Sequence, residues 1–263
     1  MEASMPEIDT TTPHSARFWN FWVGGKDYYE VDAEIAERIA ERWPGLIDVA
    51  RTSRYFLVRA VRHLAGEAGI RQFLDIGTGL PTVDPVHAVA QELAPSSRVV
   101  YVDNDPLVLA HAQARLTSSH EGRTAYLDGD VHDPRDILSK AGETIDFNRP
   151  VAVILMGILG HVADYQEARA IVDELMGGVP SGSYLVLRDC TSTSDHIVAA
   201  ADAYNSSGAV PYNLRTAQEV TGFFEGLEVL EPGVVQVPDW RPEVADPAPA
   251  SPVDALAGVA RKP

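Results

Sequence analysis

The chain has 263 residues, 45% of them hydrophobic, enough for one large domain with a sizeable core or one domain with an appendage. Its 38 acidic and 21 basic residues leave a formal net charge of −17, a field that repels DNA, RNA and anionic lipid and suits a cationic or neutral small ligand. The single cysteine, Cys190, excludes a disulfide framework within the chain and a cysteine-rich metal site.

In chain order, residues 1–14 are polar and threonine-rich and read as a disordered tail. They show no basic region followed by an apolar one, so no signal peptide is expected. The longest apolar run, about "VAVILMGILGHVA", is too short to cross a bilayer. The expectation is a soluble, cytoplasmic protein with no membrane or nucleic-acid partner. Residues 15–69 read as a helical N-terminal cap. "EVDAEIAERIAERW" sets Ile35, Ile39 and Trp43 on one stripe, and "VARTSRYFLVRAVRHLAGEAG" sets Val49, Leu57, Val61 and Leu64 on another. Gly66 and Gly69 end that second helix.

From residue 70 to 263 the period changes. Short β-branched runs appear at 72–76, 98–103, 124–130, 151–156 and 182–189, with helical stretches between them. This alternation predicts a parallel sheet covered by helices on both faces. Asp105 before Pro106 and Asp133 before Pro134 read as helix N-caps, and Thr216 with Glu219 as a capping box. "GLEVLEPGVVQV" reads as a sixth strand bent at Pro232-Gly233, and "DALAGVARKP" as a final edge strand pairing back.

The first predicted strand runs into "DIGTGLPT". Gly77 and Gly79 permit a tight turn and close backbone approach, but Thr82 stands where a dinucleotide loop wants its third glycine. Asp75 would repel a pyrophosphate at the strand end, and Pro81 removes a cradling N–H. Asp103 ends the second strand 24 residues past Gly79, where a ribose diol is held, and Asp130 ends the third, placed for an exocyclic amine. Three strand-end carboxylates without a basic residue match a ligand with a cationic centre, a ribose and a base but no phosphate. S-adenosylmethionine is such a ligand.

"FLDIGTGLPT", "VVYVDNDP", "YLDGDVHDP" and "SGSYLVLRD" together resemble the motif series of class I S-adenosylmethionine-dependent methyltransferases. "FWNFWVGGKDYYEVD", "ARTSRYFLVRAVRHLA" and "GVARKP" are similar to the bacterial family formerly called domain of unknown function 574. The resemblance implies an α/β, doubly wound, seven-stranded, mostly parallel Rossmann-like sheet whose last strand is antiparallel. It also implies methyl transfer from S-adenosylmethionine. Asp75, Gly77, Thr78 and Gly79 would form the methionine-side loop, Asp103 and Asn104 would hold the ribose, and Asp130 and Val131 would frame the adenine. Ser53 departs from the family, which has asparagine there.

Six of the chain's aromatics, Phe18, Trp19, Phe21, Trp22, Tyr28 and Tyr29, crowd into twelve residues around Gly24-Gly25-Lys26-Asp27. Two readings stand: a buried helix face, or a lid whose Phe18, Trp22, Tyr28 and Tyr29 face the ligand. Lys26 is either a partner for the cofactor carboxylate or a solvated charge, and Arg17, Arg51 and Arg54 are similar candidates. The end of the fourth strand, with Met156 and His161, is where a small-molecule acceptor would sit. His161 is either a general base or a histidine bonded within its loop. His132, near Asp130, is the other histidine to test, and none of the histidines shows metal-ligand spacing. Two other functions stand against the methyltransferase reading: a non-catalytic S-adenosylmethionine-binding protein and a nicotinamide-dependent oxidoreductase.

Overall fold

The computed structural model describes residues 8–81, 84–115, 118–244, 246–249 and 252–263, with the backbone alone over 112–115. Thr82, the position of the missing third glycine, lies outside the described residues. Three helices lead the chain: α1 (Ser15–Trp22), α2 (Glu30–Arg42) and α3 (Gly45–Gly66). Then come β1 (Gln72–Ile76), α4 (Val86–Leu93), β2 (Arg98–Asp103), α5 (Pro106–Arg115), β3 (Arg123–Asp128), α6 (Pro134–Ala141), β4 (Ala152–Met156), α7 (Tyr165–Gly177) and β5 (Tyr184–Cys190). The chain closes with α8 (Asp195–Asn205), α9 (Ala217–Gly222), β6 (Glu228–Val229), β7 (Val235–Gln236) and β8 (Ala255–Arg261). β1 and β2 match the predicted runs residue for residue, and the other three shift by one or two residues. The predicted caps form: Asp105 Oδ1 accepts from Leu107 N at 2.8 Å, Asp133 Oδ1 from Asp136 N at 3.1 Å, and Thr216 and Glu219 cap one another.

The sheet order is β3-β2-β1-β4-β5-β8-β6, with β7 also paired to β8. β1 to β5 are mutually parallel and β8 is antiparallel to β5. β6 and β7 flank Pro232-Gly233 and pair with opposite ends of β8, so together they act as one interrupted strand. The sheet then has the expected seven positions. The final strand is not at an edge, however. β8 is enclosed between β5 and the β6/β7 pair, and its burial is almost continuous. "ALAGVA" carries the unbroken apolar pattern that two covered faces require.

Period-two alternation splits the strands between two cores. Phe73, Val99, Ile154 and Val186 point to one, Leu74, Val100, Val153 and Leu187 to the other. α6, α7 and α9 cover the second face. The first face is covered by α1, α2, α3, α4 and α8. The expected N-terminal cap is therefore part of one hydrophobic core with the sheet, and Phe18, Phe56 and Val61, all fully buried, belong to it. Of the expected tail, residues 1–7 lie outside the described residues, and residues 8–14 are held by hydrogen bonds. Arg17 Nη1 donates to Asp9 O at 2.8 Å, and His14 N donates to the fully buried Asp32 Oδ1 at 3.0 Å.

Candidate functional site

A cavity of about 320 Å³ opens at the carboxyl ends of β1, β2 and β4, closed on one side by α1 and α3. That is where ligands bind in open α/β sheets, and the volume lies in the range of small-molecule sites. Its walls hold Asp75, Gly77, Thr78, Gly79, Asp103 and Asn104. Beyond β3 the lining continues through Gly129, Asp130, Val131 and His132. Gly77 and Gly79 take φ of 72° and 65°, which side-chain-bearing residues adopt only under strain. A Cβ on Gly77 would stand 2.7 Å from Ile158, so this glycine also lets the loop pack against the segment after β4.

Each carboxylate is held differently. Asp75 is 4% exposed and accepts from Thr78 Oγ1 at 3.2 Å. Burial pushes its carboxyl up to about 7, against the pull of the Arg54 guanidinium and of the Thr78 hydroxyl. Asp103 Oδ2 accepts from Gly79 N at 2.8 Å and its Oδ1 from Asp105 N at 3.0 Å. This residue thus ties the β1 loop to the end of β2, and burial raises its pKa too, outweighing those two bonds. Asp130 is exposed and accepts from His132 N at 3.0 Å, with His132 Nδ1 2.7 Å from the same oxygen. Partial burial would raise its carboxyl, but the His132 N–H and ring hold it below the usual range. Half-buried Arg54 lines the same wall and donates to the Asp84 carbonyl.

The other end of the cavity carries Trp19, Met156, Gly157, His161, Arg188 and Val210. His161 Nδ1 lies 3.0 Å from Pro211 O. A carbonyl only accepts, so Nδ1 carries the proton of the neutral ring and Nε2 the lone pair. Burial lowers this imidazole's pKa, keeping it neutral near pH 7. His161 lines the cavity, and its bond runs to the segment after α8 and not within its own loop as expected.

Five predicted site residues do not line it. Phe18 is fully buried against Trp22 and Tyr204, and Trp22 sends its indole N–H to Ala36 O at 3.1 Å. Tyr28 packs on Phe21, and Tyr29 caps α2 beneath the Arg17 guanidinium. Lys26 is exposed and off the cavity wall, so the solvated reading of it stands. The cause for α1 is rotational. Ser15, Trp19 and Val23, with Ala16 and Asn20, form the cavity stripe, and Phe18 and Trp22 sit about 100° around the helix from Trp19 and Val23. The glycine pair serves the turn itself: Gly25 N donates to Asn20 O at 2.8 Å, and a Cβ there would meet the Asn20 amide at 2.3 Å. Of the arginines, Arg17 is bound to Asp105 and tail carbonyls, and Arg51 is exposed. Ser53 lines the cavity, its hydroxyl turned to Val49 O at 2.5 Å. Sequence reasoning missed Arg188 and the orientation of Trp19. A charged residue inside the apolar run "YLVLRD" was the available signal for the first.

A mostly parallel sheet with one inserted antiparallel strand, and a strand-end site with a ring of carboxylates, defines the Rossmann-like methyltransferase fold. An O-methyltransferase family protein from Burkholderia thailandensis shares that fold at TM-score 0.55 and 16% identity, covering 91% of this chain and 73% of its own. The chain belongs to the family described as S-adenosyl methyltransferase, whose model matches residues 1–263. It is a methyltransferase of the class that uses S-adenosylmethionine. A DUF574 family protein from Streptomyces avermitilis MA-4680 is 46% identical with TM-score 0.93, covering 98% of this chain and 100% of its own. A methyltransferase candidate from Thermobifida fusca YX is 38% identical with TM-score 0.90, over 100% and 99%. No curated protein matches the chain.

Proposed function

We propose that the chain transfers the methyl group of S-adenosylmethionine to a small-molecule acceptor seated between Trp19, Met156, His161 and Arg188. The observation that carries this is the division of one cavity into two chemistries. One end has Asp75, Asp103 and Asp130 with a single guanidinium, Arg54; the other is largely apolar and aromatic.

The donor set fits the cofactor. Asp75 suits an α-ammonium and the nearby Arg54 an α-carboxylate, so the zwitterionic end has both counter-charges. Asp103 keeps a free lone pair on each oxygen for a ribose diol, with Asn104 beside it. Asp130 and Val131 stand where the base would lie, with Gly77, Thr78 and Gly79 giving close backbone approach. When bound, the sulfonium supplies an activated methyl group with a neutral thioether as leaving group. The chain's residues then have to orient the acceptor, keep water out and take up a proton where the acceptor is a hydroxyl or amine. His161, neutral and fixed as one tautomer, is our candidate for that last role.

Calorimetry with S-adenosylmethionine, S-adenosylhomocysteine and NAD tests the cofactor half: the first two bind and NAD does not. Incubation with a methyl-labelled cofactor and a bacterial metabolite extract tests the acceptor half. Label appearing in a low-molecular-mass product supports it, and label found only in macromolecules overturns it.

A further inference from the structure

We infer that Arg188 is the binding residue for a carboxylate on the methyl acceptor, so that the substrate is a small organic acid. This rests on the cofactor reading above and adds the acceptor's chemical class to it.

Arg188 is 1% exposed yet lines the cavity. Its Nη2 donates to Cys190 Sγ at 3.3 Å, a weak acceptor. Its Nε and Nη1 have no hydrogen-bond partner. Among the described residues no carboxylate pairs with it. The neighbouring Asp189 has Oδ1 occupied by the Tyr212 hydroxyl and Cys190 N–H, and its Oδ2, also partnerless, makes no ion pair with Arg188. Asp189 acts on this guanidinium electrostatically but makes no hydrogen bond or ion pair with it, and buried N–H groups without an acceptor are disfavoured until a ligand completes them.

The surroundings hold the fork in place, with its unpartnered Nε and Nη1 shielded from solvent in the ligand-free protein. The Trp19 ring lies 4.7 Å from the guanidinium carbon, clamping one flat face. Gly157, at φ 86°, lies beside Nη1, and a Cβ there would come within 2.6 Å of that nitrogen. The missing side chain therefore lets the backbone lie close to an unsatisfied donor. Nη2 keeps one N–H beyond the Cys190 contact, so one edge of the planar fork, shared by Nη2 with either Nε or Nη1, can meet a carboxylate.

Position separates this cation from the cofactor's zwitterionic end. Arg188 pairs in register with Met156 on β4, and β4 lies between β5 and β1. Two inter-strand spacings, about 10 Å, and an offset of two residues along the strands thus separate it from the backbone of Asp75, where Arg54 already supplies a positive charge. Arg188 instead shares the end that holds Met156, His161 and Val210.

Ligand-observed NMR on the full chain saturated with S-adenosylhomocysteine tests the inference with benzoate and indole-3-carboxylate against their neutral amides, benzamide and indole-3-carboxamide. The acids are expected to bind at least roughly tenfold tighter than the amides, as a charge-assisted bidentate pair requires. Arg188→Gln should erase that preference, Arg188→Lys should restore part of it, and Gly157→Ala should reduce it by crowding Nη1. S-adenosylhomocysteine, the cofactor's product, should bind the Arg188 variants within about twofold of wild type. Acids and amides binding alike to the loaded wild-type protein overturns the inference without any variant having to fold. So does a loss of product affinity in Arg188→Gln equal to the loss of acid binding, which would assign the arginine to the cofactor. A wild-type protein that fails to bind the product overturns the cofactor reading itself.

Discussion

Asp103 is engaged on both oxygens by backbone N–H groups, and its removal takes away a ribose acceptor together with the tie between the β1 loop and β2. Asp103→Ala should weaken S-adenosylmethionine by about 30- to 160-fold, the loss of charged hydrogen bonds worth roughly 2–3 kcal/mol. His161→Ala should leave that affinity within about twofold while lowering turnover on a hydroxyl or amine acceptor by roughly a hundredfold or more. Calorimetry on both variants checks this, and equal losses would put the cofactor at the wrong end of the cavity. Asp75 adds a pH dependence. Burial raises its pKa to about 7 in the ligand-free protein, so its neutral form is the one that folding favours. That contribution to stability is complete below the ordinary carboxylate range and is lost as pH rises through about 7. An ammonium ligand needs the ionised form, so its affinity should climb by about tenfold per pH unit below 7 and level off above. Asp75→Asn should flatten that titration and raise the melting temperature of the ligand-free protein at pH 8. Asp103 was legible in the sequence because it ends an apolar run, and Asp75, one residue before the end of β1, and Asp130, two residues beyond β3, because they lie beside such ends, where the fold class fixes the location. Arg54 was legible only as one of three candidate arginines, and Arg188, inside a strand, was not among them. Only packing decides which of several arginines reaches a cavity.

The α1 helix shows why an element can be read correctly and its working face missed. The eight-residue segment is amphipathic and aromatic on more than one side, and a shift of one residue turns a side chain by about 100°. Its core face is known only once α2 and α8 are in place, because Phe18 meets Tyr204 and Trp22 bonds to the backbone of Ala36. The two faces predict opposite phenotypes for neighbouring residues. Phe18→Ala should cost about 3–5 kcal/mol by leaving a cavity in a fully packed site, with little effect on the substrate constants of whatever protein remains folded. Trp19→Ala removes a half-buried ring from the cavity wall and from Arg188, so it should cost less stability and raise the acceptor's KM. Thermal melts beside binding of an acidic fragment distinguish them. A Trp19 variant as unstable as the Phe18 variant, with unaltered fragment affinity, would show the helix to be purely structural.

At the scale of the whole molecule, the order of the strands was the least legible feature, because hydrophobic pattern reports burial and not neighbours. The last strand illustrates the point: "ALAGVA" pairs with strands from two separate parts of the sequence, β5 on one side and β6/β7 on the other. Its small residues fit that crowded position. A Cβ on Gly258 would meet the Phe224 ring at 3.0 Å and Val234 at 3.2 Å. Just beyond the strand, Lys262 Nζ donates to Met176 O and Val179 O at 2.7 Å each, joining the sheet to the end of α7. A strand so enclosed carries ladder hydrogen bonds on both edges and buried side chains on both faces, so its loss unpairs β5 and strands β6/β7. A chain ending at Asp254 should therefore fail to give a cooperative thermal transition, even though every residue lining the cavity lies before that point. Lys262→Ala should melt cooperatively with a loss of about 1–3 kcal/mol, the range for charged hydrogen bonds to backbone. Circular dichroism melts of the two proteins separate these outcomes. A shortened chain that still melts cooperatively and binds S-adenosylmethionine would mean that β1 to β5 with their helices form a self-sufficient unit and that β8 is only an accessory edge.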